Sequence, residues 1–243
     1  VVDPAGVIPE ASESNNRLTA SLEILPPKAE LHPIRAEVTP TPPIRWGETA
    51  TITAGVMNTG QAAAGPFHVG FALFPVYCVD ERTAERWSVA PADSANAKGL
   101  TPWQFVPDPE GIRNPQAIGL AAIAATVPGD AWILFAETQI AGLERDRRAD
   151  VNAALSTGLP LRLLLTTSGA RDGAIGSSSM AVLSSADADR LVSCATTYAI
   201  RIWVQDAYGM SDADPTNNVL DIALSVRPST LELADLLPIA ASF

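Results

Sequence analysis

Cysteine, histidine and positive charge are all scarce in this chain, and each scarcity removes a class of function. Two cysteines and two histidines in 243 residues leave no zinc-site spacing: there is no CxxC pair, and His32 and His68 have no partner at ligand intervals. Sixteen Lys and Arg stand against 27 Asp and Glu, a net charge of −11. The largest basic cluster is Arg145, Arg147 and Arg148. It is too small to displace the counterions of a nucleic acid or to dock on anionic lipid. Apolar runs are short, and the longest, 118–127, is rich in Ala and falls below membrane-spanning length. GxSxG, P-loop and HExxH patterns are missing. The Ser177-Ser178-Ser179 run has no assignable base and reads as loop. A non-enzymatic protein without nucleic-acid partners or a membrane-spanning segment is expected.

What is present suits strands. Apolar residues make up 47% of the chain and charged residues 18%, enough for a sizeable core. Twenty prolines count against a helical bundle and favour short strands joined by loops. The chain begins Val-Val-Asp rather than with Met, so processing upstream is expected.

Residues 1–16 lack periodicity and read as a linker or arm. Residues 17–25 then alternate, with Leu18, Ala20, Leu22 and Ile24 on one side, and Pro26-Pro27 detaches that strand from the next one. Further strands are expected at 31–38, at Ala50, Ile52, Ala54 and Val56, and at Phe67, Val69, Phe71 and Leu73, where His68 faces away from the core. Between 80 and 129 the regularity fails: 81–89 looks helical, and Trp103 and Phe105 are expected to pack an insertion onto the body. Strands are expected at 131–141, 150–155 and 161–167, a flexible loop at 168–180, and a helix at 185–192 with Ser184 or Ser185 as N-cap. The five tryptophans, Trp46, Trp87, Trp103, Trp132 and Trp203, raise a sugar-stacking platform as an alternative, but they are dispersed, and Trp203 reads more simply as core or sheet-face packing.

The clearest stretch is 198–226. Ile200, Ile202 and Val204 share one strand face, and Leu220, Ile222, Leu224 and Val226 share another. Between them Gly209, Asp212, Asp214, Pro215, Asn217 and Asn218 supply turn chemistry. This is a β-hairpin with a long acidic tip.

That hairpin, with Tyr198, Asp206, Asp212, Asp214 and Asn217-Asn218, resembles the C-terminal end of CARDB domains, immunoglobulin-like adhesion-related modules of bacteria and archaea. The family's other mark is a strand running into Asn-x-Gly, then small residues, then Phe-x-Val-x-Phe. Here it stands as TATITAGVMNTG followed by QAAAGPFHVGFAL. The resemblance covers 35–74 and 197–226, with a stretch of about a hundred residues in place of a short connection. It implies an all-β, immunoglobulin-like sandwich of about 7–9 strands. On that reading the chain divides into an N-terminal arm (1–30), the sandwich (31–227, with insertion 80–129) and an apolar tail (228–243).

An immunoglobulin-like sandwich sets the third and penultimate strands side by side and antiparallel. Cys78 ends one and Cys194 begins the other, so the resemblance brings them together as a disulfide in an oxidising, extracellular setting. The alternative is two buried free thiols. Asp206, Asp212, Asp214 and Asn217 have two readings: turn formers bonding their own backbone, or oxygen ligands of a calcium ion, although the spacing is not that of an EF-hand. No other cofactor is expected.

Two roles are implied. The first is an extracellular, pilus-like structural subunit whose partners are copies of itself. Leu18, Leu22 and Ile24 would add as a donor strand to a neighbour's sheet, with the apolar tail as a second contact. The alternative is a cell-surface adhesion module that binds a protein or glycan through the 80–129 and 168–190 segments.

Overall fold

In a computed structural model the described residues are 26–91, 103–112, 119–127, 132–166, 183–206 and 212–229. The donor-strand residues Leu18, Leu22 and Ile24, and residues 230–243 of the 228–243 apolar tail, lie outside them.

Among the described residues ten strands form two packed sheets, an all-β sandwich. They are β1 (Leu31–Thr39), β2 (Ile44–Arg45), β3 (Thr49–Asn58), β4 (Phe67–Val79), β5 (Arg86–Pro91), β6 (Trp103–Pro107), β7 (Ile133–Ile140), β8 (Arg148–Ser156), β9 (Ala195–Asp206) and β10 (Val219–Arg227). The smaller sheet runs β1-β3-β8. The larger runs β2-β10-β9-β4-β5-β6, with β7 also paired to β4. The strands beyond the expected 7–9 include β5 and β6, a hairpin inside the insertion.

Period-2 alternation decides which side chains meet between the sheets. Ile52, Ala54 and Val56 of β3 and Val151, Ala153 and Leu155 of β8 face Phe67, Val69, Phe71 and Leu73 of β4. Tyr198, Ile200, Ile202 and Val204 of β9 join them, and all are buried. Truncating one of the large ones, such as Phe71→Ala, costs about 3–5 kcal/mol through lost transfer energy and the cavity left behind.

Two sequence expectations are corrected. Residues 161–167 were expected as a strand, but Leu159–Thr166 is a helix, α2. Leucine is a good helix former, Pro160 occupies the first turn, and Leu161 and Leu165, four apart, are the buried pair. The helical reading of 81–89 gives way to β5, because Trp87, Ser88 and Val89 pair with β6 at Pro107, Val106 and Phe105. β4 crosses Pro75 without ending. A register shift between Pro75 and Tyr77 carries it past the proline to Val79. The helix at 185–192 is present as α3 (Ser185–Ser193), capped by Ser184, whose hydroxyl accepts from the Asp187 amide. A seven-residue helix, α1 (Leu120–Thr126), completes the insertion.

At the corner between β3 and β4, Asn58 is fully buried. Its side-chain oxygen accepts from the Glu30 and Gly60 amides, and its amide donates to the carbonyls of Ala62 and Leu143 at 2.8 and 2.9 Å. Every polar valence is used, which is why this residue sits inside without penalty. Gly60 beside it has no room for a side chain, since a Cβ would run into the backbone of 28–30. The Asn-x-Gly motif is therefore a corner pin.

Candidate functional site: the outer face of the larger sheet

The sequence-predicted residues fall in three places. Cys78 and Cys194 are joined, with Cα atoms 5.7 Å apart and 116 residues between them. The pair lies where β4 meets the start of β9, at the root of the insertion, because β4 and β9 are antiparallel neighbours. Such a bond fits an oxidising compartment. No helix among the described residues is long and apolar enough to cross a membrane, which speaks only of helices.

The acidic tip is strapped to the chain entrance rather than gathered round a point. The Asp214 amide and the Asn217 side-chain amide both donate to the Glu30 carboxylate, at 2.7 and 2.6 Å. The Asp214 carboxylate accepts from the amide and hydroxyl of Thr216, and these bonds hold its pKa below the ordinary carboxylate value. Asp206 lies at the end of β9, opposite Phe67. Among the described residues no three Asp, Glu, His or Cys side chains form a metal-binding group. The Asp214 carboxylate bonds its own turn, whereas the Asn217 amide is spent on Glu30. Asp212 borders a cavity of about 270 Å³ lined by Leu31, Phe67, Ala62 and the Pro26-Pro27 entrance, and its buried Oδ1 has no partner among the described residues.

The third place is the outward face of β4, β7, β9 and β10, where the sequence put His68 at the surface and favoured packing over sugar stacking for Trp203. It divides in two. On one half, Arg201 makes a two-pronged pair with Asp221, both bonds 2.8 Å, and its guanidinium stacks on Trp132 at 4.1 Å. The same guanidinium donates to the Ala124 carbonyl of α1. Phe74 beside it meets Trp103 edge-on at 5.1 Å and Trp132 at 6.2 Å. The insertion is thus fastened over this half by paired charge and aromatic contact.

On the other half the register builds two rows. Gln205, His68 and Gln139 form one, and Val219, Trp203, Gly70 and Glu137 the next. A Cβ on Gly70 would collide with Trp203 atoms Cζ2, Cε2 and Cη2, the farthest of the three at only 2.7 Å. Three consecutive ring atoms crowd one point only if the face of the indole, not its edge, covers the glycine. One face of Trp203 therefore lies on the sheet and the other looks away from it. Trp203 is partly exposed, Glu137 and Gln139 are exposed, and His68 Nδ1 stands 3.4 Å from the Glu137 carboxylate. A glycine inside a strand marks such a close approach. The resemblance makes β4 and β9 neighbours but does not fix their register, so the sequence does not say what approaches Gly70.

Two buried tyrosines complete the electrostatics. Burial raises the Tyr198 hydroxyl above its ordinary value. Tyr77 is raised chiefly by burial, against the lowering effect of Arg86. Both stay neutral.

Comparison with known proteins gives no family model that matches the chain and no match among curated proteins. Solved structures of similar shape include the CARDB domain of a Pyrococcus furiosus protein in complex with di-metal ions. It is 9% identical, with a TM-score of 0.38, covering 85% of this chain and 94% of that one. A Listeria innocua β-glucosidase (8% identical, TM-score 0.33) and the sporulation control protein Spo0M of Bacillus subtilis (6%, 0.31) each match over 82% of this chain. The match spans 16% of the glucosidase and 49% of Spo0M. The scores are low, and the architecture rests on strand order and register.

Proposed function

We propose that this protein is a non-enzymatic, extracellular structural subunit that joins copies of itself by strand addition. One observation carries the reading. β8 is a nine-residue strand free of proline, paired on one side with β3 and on the other with no strand among the described residues. A long regular edge is a template for another strand. Its counterpart β1 carries Pro33 and a register irregularity, which make it a poorer acceptor.

The 17–25 segment, upstream of Pro26-Pro27, is the donor: Leu18, Leu22 and Ile24 of one copy extend the β1-β3-β8 sheet of the next. Such a contact is heterologous and does not close on itself, so it propagates into a filament. The disulfide fits the oxidising setting this requires.

Negative-stain electron microscopy with mass photometry tests the reading. Wild-type protein forms fibres, and the combined Leu18→Asp, Leu22→Asp, Ile24→Asp variant stays a 25.5 kDa monomer. A wild-type sample that remains monomeric, or a variant that still polymerises, removes strand addition through this segment.

A further inference from the structure

Apart from assembly, the open half of the larger sheet's outer face has the features of a ligand platform. The two outer faces of the sandwich differ. That of the smaller sheet is solvated: Arg35 bridges Glu37 and Asp150, and Thr53 bonds Asn152. That of the larger sheet presents a flat indole at the centre of a polar surround. The Trp203 ring is held against Gly70 on one side and remains partly exposed, with Val219, 44% exposed, next to it in the row.

We propose that this face binds carbohydrate, a pyranose ring stacking on the outward face of Trp203 while His68, Glu137 and Gln205 hydrogen-bond its hydroxyls. Three physical points select that occupant. A sugar offers an apolar C–H face matched in size to one indole, together with hydroxyls that donate and accept. The surround answers with an imidazole, a carboxylate and an amide, which include both donors and acceptors. A stable protein partner instead needs roughly 800 Å² on each side, and one indole with one valine supplies only a fraction of that as apolar surface. An anionic lipid or nucleic acid needs positive charge, yet Glu137 flanks the ring and the nearby Arg201 is committed to Asp221. The ring also arrives preorganised, since the Gly70 backbone fixes its plane before any ligand binds. The site lies on the sheet itself, not on the 80–129 or 168–190 segments considered from sequence alone.

Affinity electrophoresis of the full chain through gels containing laminarin, xyloglucan, mannan or hydroxyethylcellulose tests the proposal. Wild type is retarded by at least one of the four, and Trp203→Ala weakens that retardation about tenfold or more, the loss expected for removing an aromatic contact. Should Trp203→Ala fold poorly, the Gln205→Ala and Glu137→Gln pair serves instead and also weakens retardation, since neither side chain is buried. Free migration of wild type in all four gels overturns the proposal. So does unchanged retardation of Trp203→Ala or, where that variant folds poorly, of the paired variant. Retardation that survives both but is lost on altering the insertion would place the ligand on the loops.

Discussion

The two halves of one sheet face make different use of tryptophan. Over the covered half, Trp132 and Trp103 are spent on structure: one carries the Arg201 guanidinium, and the other closes on Phe74. Over the open half, Trp203 rests on a glycine and faces outward. The same residue type on one sheet face is glue where the insertion meets it and a platform where, among the described residues, it rests on a glycine. What separates them is Arg201-Asp221, the row at which α1 is tied to the sheet. Tryptophan count and spacing do not distinguish these roles. Register does.

The largest expected effect comes from the root of the covered half. Replacing Cys78 and Cys194 by Ser removes a crosslink closing more than a hundred residues, and stability falls by about 4–5 kcal/mol in the chain-entropy description. Denaturant titration with and without reductant measures it, and the open half keeps its near-ultraviolet tryptophan signal if the two halves are independent. Arg201→Ala comes next. It leaves Asp221, whose side chain is only 13% exposed, without its cation. The partly open setting reduces the usual penalty to about 2–3 kcal/mol. Proteolysis should then cut first near 119–127, where α1 loses its tie.

Gly70→Ala breaks the open half alone. Its Cβ pushes the indole off the sheet at a cost of about 1–3 kcal/mol, an overpacking effect. Tryptophan emission shifts to the red while the insertion stays protected. The smallest effect belongs to the acidic tip. The Thr216 bonds lower the folded pKa of Asp214, so its contribution is present above the ordinary carboxylate range and lost as pH falls through the depressed value. The melting difference between wild type and Asp214→Ala should hold from roughly pH 8 to 5 and shrink below about pH 4.

Local pattern made part of this legible. The β9-β10 hairpin could be read because each strand alternates and the turn residues are of the right type. The nearness of Cys78 and Cys194 came from strand order in an immunoglobulin-like sandwich, not from the cysteines themselves. The strand expected at 161–167 gives way to a helix because a run of leucines suits either, and only tertiary packing of Leu161 and Leu165 decides. Trp203 over Gly70 was out of reach for a different reason. The two residues lie in strands far apart in sequence, and their meeting depends on a register shared by β4 and β9 alone.

Hydroxyl-radical footprinting with mass spectrometry, run with and without the polysaccharide that retards the protein, tests the division of this face most directly. Trp203 should oxidise faster than buried Trp103, and bound polysaccharide should slow Trp203 while leaving Trp103 unchanged. Equal slow oxidation of both, or a Trp203 rate indifferent to polysaccharide, would contradict it.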